Sequence, residues 1–139
     1  MNEPVKRMIF VIHGPNMNLL GYTKRGDKGR ITLDKLNRHL RRIASERGFL
    51  LAIFQTNDEI KAVNQLQRRR KNIKGILLFP GPWQQSGHVI KDTLDILGIP
   101  YITISNGEKE EVLKGNKNIE NKNIFKSVEM AIEALEEFI

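Results

Sequence analysis

The sequence predicts an α/β fold, a three-layer αβα sandwich built on a doubly wound parallel sheet, and three observations carry that prediction. Continuous apolar runs of strand length recur as "MIFVI" (8–12), "FLLAIF" (49–54), "GILLF" (75–79) and "YITI" (101–104). Between them apolar residues repeat at spacings of three and four, the period of a helix. The strands lack polar alternation, so both of their faces must be covered, as happens when helices flank a parallel sheet.

The first strand, 8–12, runs into the long polar loop "HGPNMNLLGYTKRGDKG". Leu33, Leu36, Leu40 and Ile43 then mark the first helix, with Thr32 placed to cap its start and Gly48 placed to end it. Ile60, Val63 and Leu66 mark a second helix that closes in Arg68, Arg69, Arg70 and Lys71, cations suited to the negative end of a helix dipole. After the third strand comes "PGPWQQSG", and Val89, Ile90, Leu94 and Leu97 define a third helix that Ser86 is placed to cap. Gly98, Ile99 and Pro100 lead into the fourth strand, and Phe125, Val128, Ala131, Ile132 and Leu135 define the last helix. Between Ser105 and Phe125 the pattern fades into "NGEKEEVLKGNKNIENKN". Mobile surface chain is expected at 1–7 and 107–123, with at most a short edge strand at 117–119. No internal repeat interrupts the order.

A chain of 139 residues, 40% of them hydrophobic, suits a single domain over 1–139. No apolar run approaches the roughly 18 residues of a membrane span, and "MNEPVKRMIF" has too short an apolar stretch for a secretory signal, so a soluble cytoplasmic protein without membrane contact is expected. The absence of cysteine removes disulfides, thiolate nucleophiles and Cys-ligated metals. The net charge of +7 is unevenly spread. Nine Lys or Arg lie between Gly21 and Arg47 against three acids, "QRRRKNIK" carries no acid, and "VEMAIEALEEFI" is acidic. Such lopsidedness favours small anions, or the phosphates of nucleic acid, on one side of the molecule.

In a doubly wound sheet the strands' carboxyl ends share one edge, and the ligand crevice forms there where the strand order reverses. The loops at that edge, "HGPNMNLLGYTKRGDKG", "QTNDE", "PGPWQQS" and "SNGEKEE", are rich in amides, hydroxyls and cations. They suit a small-molecule pocket. His13, at the tip of the first strand, is expected at the rim of this crevice, His39 lies on the basic first helix, and His88 opens the third. No pair has metal-ligand spacing, so neither a metal nor a cofactor is expected. Trp83 reads as a plug for its loop.

These loops carry a family resemblance. "HGPNMNLLG" resembles the Asn-Gly-Pro-Asn-Leu-Asn-Leu-Leu-Gly signature of type II 3-dehydroquinate dehydratases. "FQTNDE" is similar to that family's Phe-Gln-Ser-Asn-His-Glu, "PGPW" to Pro-Gly-Ala-Tyr, "IKDTL" to Leu-Arg-Asp-Ala-Leu, and "GIPYITI" with the following Ser-Asn to its fourth strand and Ser-Asn pair. The similarity spans residues 8–106. It implies a flavodoxin-like fold and an oligomer, the family assembling as trimers and dodecamers.

The resemblance also implies a reaction: dehydration of 3-dehydroquinate by a tyrosinate base, an Arg that lowers its pKa and a His general acid. Here ungapped register puts Thr23 at the Arg position and Lys28 at the Tyr position. The strand-end Asn falls on Phe79, the substrate-binding His on Gln85, the catalytic His on Ser105, and the His of Asn-His-Glu on Asp58. Asn16, Asn18, Pro80, Gly81, Asp92, Ser105 and Asn106 match. The implied ligand-binding set is therefore Asn16, Gly81, Gln85, Asp92, Ser105 and Asn106. Catalysis, if retained, would rest on Lys28 or Tyr22 as base with Arg25 beside it. One proton-transfer group is worth about 10²- to 10⁴-fold. Three would need replacement here, so the expected function is a family homologue with lost or altered dehydratase chemistry that binds a small anionic ligand. The alternatives are a working dehydratase of the shikimate pathway with rearranged groups, and an RNA- or DNA-associated protein using Lys35, Arg38, Arg42 and "RRRK".

Overall fold

Ile9 and Val11 point to one face of the first strand and Phe10 and Ile12 to the other, and all four are fully buried. An extended chain alternates its side chains in this way, so an unbroken apolar strand needs cover on both sides. The computed structural model describes residues 7–22 and 31–139. Its five strands are β1 (Arg7–His13), β2 (Phe49–Gln55), β3 (Ile73–Phe79), β4 (Tyr101–Ser105) and β5 (Lys117–Glu120). All neighbours are parallel, in the order β2-β1-β3-β4-β5. The helices are α1 (Leu33–Glu46), α2 (Glu59–Arg69), the single turn α3 (Trp83–Ser86), α4 (His88–Leu97) and α5 (Ile124–Glu136). One core lies between the sheet and α1 with α5, the other between the sheet and α2 with α4. The architecture is the flavodoxin-like α/β sandwich.

Local chemistry sets the helix ends. Thr32 Oγ1 accepts the Lys35 N–H at 3.3 Å, Asp58 Oδ1 accepts those of Ile60 and Lys61 at 2.9 and 3.4 Å, and Asn123 Oδ1 accepts those of Phe125 and Lys126 at 3.0 and 3.3 Å. Each side chain satisfies amides that the helix leaves without partners. Ser86 does not cap α4. It ends α3, its Oγ donating to the Pro82 carbonyl at 3.4 Å, and Gly87 stands at the cap without a side chain. Glu59 of α2 serves instead, its Oε2 accepting the Ile90 N–H at 2.9 Å. A cap supplied across the fold leaves no local signature.

Where the apolar pattern fades, the structure builds one edge strand, β5, and an ordered stretch before it. β5 pairs with β4 from Ile102 with Lys117 to Ser105 with Glu120. Before it, Leu113 is fully buried. The side chain of Gln84, itself buried, holds that stretch: its Oε1 accepts the Glu111 and Leu113 N–H groups at 3.0 and 2.8 Å, and its Nε2 donates to the Leu113 carbonyl at 2.7 Å. Among the described residues no helix is long and apolar enough to cross a membrane.

Candidate functional site

The strand order reverses between β1 and β3, and the loops leaving their carboxyl ends diverge there to open a crevice. Register pairs His13 with Phe79, the last residues of the two strands. Directly beyond, the Gly14 N–H donates to the Phe79 carbonyl at 2.9 Å. A Cβ at Gly14 would overlap that carbonyl oxygen and crowd Trp83, so the loop can leave β1 at this angle only with glycine. Gly14→Ala is expected to lower stability by about 2 kcal/mol, read by urea denaturation.

From Gly14 the chain turns through a 3-10 helix, Met17–Leu19, and Asn16 sits before it with φ 71, the one left-handed non-glycine residue among those described. Asn tolerates this conformation better than most residues. Its N–H donates to Asn57 Oδ1 at 3.0 Å, and Gln55 Nε2 donates to the Gly14 carbonyl at 3.3 Å and to Asn57 Oδ1 at 3.2 Å. The "QTNDE" loop after β2 thus braces the first loop from behind. The resulting crevice is about 520 Å³. Asn16, Leu19, Leu20 and Tyr22 form one wall, Phe79, Gly81 and Pro82 the floor, and Ile104, Asn106 and Glu108 the other wall.

Of the sequence-predicted site residues, the structure brings Asn16, Gly81, Asn106 and Tyr22 together around this space. Tyr22 is 70% exposed. Ser105 lies behind the wall, buried, with its Oγ donating to Asn118 Oδ1 at 3.0 Å. Gln85 faces a neighbouring hollow of about 490 Å³ that shares Gly81, Pro82 and Glu108 with the crevice. Asp92 is exposed on α4 and lies outside both linings. Thr23, Arg25 and Lys28 lie outside the described residues.

His13 is not at the rim. It is completely buried beneath the crevice floor, its ring centroid 4.8 Å from that of Phe79 and its Nε2 donating to Asn37 Oδ1 of α1 at 2.8 Å. Burial lowers its pKa from the usual 6.5 to about 4, against a smaller opposing effect of the Asn37 bond. Its Nδ1 has no partner among the described residues. The ring is therefore a neutral part of the core. His39 likewise turns inward from α1, stacked on Phe125 at 4.4 Å with its Nε2 on Glu129 Oε1 at 3.1 Å. The basic face of α1 is partly neutralised within the helix, Arg38 pairing with Asp34 at 2.7 Å and Arg42 with Glu46 at 3.4 Å. Trp83, 4% exposed, fills the core between β3 and α4, and the plug reading of it holds.

Sequence reasoning did not single out Glu108, Asn57 or Gln84. Gly107, with φ +100, was the available signal for the first, because a glycine there lets the chain fold back toward the crevice. A larger hollow, about 690 Å³, opens at the amino end of β4 around Tyr101 and Pro100. It shares Glu111 with the hollow beside the crevice but none of the residues that line the crevice itself. Among the described residues no three His, Asp or Glu side chains gather as metal ligands would.

The crevice offers side-chain amides, a phenol, a carboxylate and an apolar floor, the mixture of apolar surface and a few polar groups found in small-molecule sites. Comparison with known proteins identifies the family. The dehydroquinase class II family model matches residues 7–132. A 3-dehydroquinate dehydratase of Pelotomaculum thermopropionicum is 32% identical over 96 residues, 69% of this chain and 67% of that protein. A catabolic 3-dehydroquinase of Penicillium rubens is 34% identical over 98 residues, 70% of this chain and 63% of that protein. The matched stretch thus spans about two thirds of the length of these curated relatives. The crystal structure of a type II dehydroquinase from Butyrivibrio crossotus superposes with a TM-score of 0.80 at 24% identity, covering 94% of this chain and 98% of that one, a likeness of fold. On the family match and these relatives, the chain belongs to the dehydroquinase class II family.

Proposed function

We propose that this chain is a dehydroquinase-like protein whose dehydratase chemistry is lost or altered, and that it uses the crevice to bind a small hydroxylated anion. The observation that carries this reading is the composition of the crevice. Among its described lining residues there is no imidazole, and the position of the family's strand-end Asn holds Phe79, an apolar ring on the floor. Proton transfer needs a group in reach at a workable pKa. Tyr22 and Glu108 are the described lining groups able to exchange one.

Tyr22 favours a second reading. An exposed phenol on the crevice wall, next in sequence to the cations Lys24, Arg25 and Lys28, supports a working dehydratase with a relocated base. Enone absorbance after mixing with 3-dehydroquinate separates the two. A flat trace, with dehydroquinate binding seen by calorimetry, is expected. Turnover that collapses in Tyr22→Phe or Lys28→Ala would instead establish the relocated base.

The same proposal includes a homo-oligomer. Val89 and Ile96 of α4, 48% and 76% exposed, flank Asp92 along one helix face, and exposed apolar side chains so spaced support packing between copies.

A further inference from the structure

Among the described residues lining the crevice, Glu108 alone carries a formal charge. Its Oε1 accepts the Asn106 N–H at 3.2 Å, folded back through Gly107 at φ +100. A backbone N–H at a turn is what a bound anion would use. Here the chain's own carboxylate already holds it. Glu108 also borders the neighbouring hollow, which contains Lys109 and Gln85, so its side chain stands at the partition between the two spaces.

We propose that Glu108 determines which end of a ligand meets the 105–108 turn: a hydroxyl is accepted there and a carboxylate is rejected. A hydroxyl can donate to the free lone pairs of the Glu108 carboxylate, whereas a second carboxylate must either displace it from the Asn106 N–H or approach a like charge. Any negative group of the ligand is thereby directed toward the opposite wall, where the first loop supplies Asn16. The residue sets orientation and charge preference and takes no part in bond making. The inference rests on the crevice being the binding site and adds to that reading the polarity of what binds.

Two probes that share one ring test it: quinate, a hydroxylated ring carboxylate, and methyl quinate, the same ring without the charge. Calorimetric affinities are compared for the full chain and for Glu108→Gln, which keeps the shape and an acceptor oxygen. In Glu108→Gln quinate should gain about tenfold, the scale of one like charge at a half-exposed site, and methyl quinate should gain less than about twofold. Equal quinate affinity in the two proteins would overturn the assignment of Glu108 while leaving the crevice intact. An equal gain for both probes would overturn it too, since shape rather than charge would then be responsible. Binding of neither probe to either protein would overturn the crevice reading itself.

Discussion

Acidification from pH 7 to pH 4 is expected to cost the fold about 3 kcal/mol through His13 alone, the free energy equivalent of lowering its pKa from 6.5 to about 4. The folded chain holds this ring neutral in a fully buried position, whereas the unfolded chain protonates it at its ordinary value. Between these two pKa values the unfolded state binds the extra proton. Stability is therefore complete above pH 6.5, falls as the pH drops through the window, and loses no more from this residue below about pH 4. Urea unfolding at pH 7, 5.5 and 4 measures the slope. His13→Gln should flatten it, because a Gln amide reaches the place of the ring Nε2, still donates to Asn37 Oδ1 and does not titrate. If the slope is unchanged in the variant, carboxylates elsewhere carry the acid sensitivity.

Gln84→Leu is expected to destabilise by roughly 3 kcal/mol, because it leaves three backbone groups without partners. The substitution keeps most of the volume in a site only 1% exposed, but strips acceptors from the Glu111 and Leu113 N–H groups and a donor from the Leu113 carbonyl. Gln84→Glu separates the contributions. Its carboxylate still accepts both N–H groups but faces the Leu113 carbonyl, now 2.7 Å away, with no proton to offer. The variant should be least stable at neutral pH and recover as the side chain protonates. Hydrogen exchange at the Leu113 amide gives a local readout. Fast exchange in Gln84→Leu with unchanged exchange in β1 would place the loss in the 111–116 stretch, and unchanged exchange at the Leu113 amide would mean the clamp is dispensable.

These two residues also mark the boundary of what could be read in advance. Periodicity was enough for the strands and helices because buried apolar residues must recur at two or 3.6 whatever the rest of the chain does. Thr32 and Gly48 were legible as punctuation because caps act within one turn. Even β5, four residues long, was near the position expected from "NKNI". By contrast Gln84 acts on residues 27 and 29 positions away, Glu59 caps a helix 31 positions away, and Asn37 meets His13 across 24. No local pattern encodes a partner at that distance. Position at a strand tip suggested exposure for His13, yet the Phe79 ring and α1 close over it.

For the crevice the division is similar. The sequence by itself determined where it lies, because parallel strands of this length bring their polar loops to one edge and the order must reverse somewhere along it. It also determined which family pattern those loops follow. Only the tertiary structure decided which of the named residues share the space: Asn16, Gly81, Asn106 and Tyr22 converge, Ser105 lies behind the wall, and Gln85 and Asp92 face elsewhere. Loop membership places a residue at the right edge, but the direction of its side chain depends on the packing of α3, α4 and the 107–116 stretch beneath it. That packing brings a carboxylate, Glu108, to a wall where the net charge of +7 suggested cations.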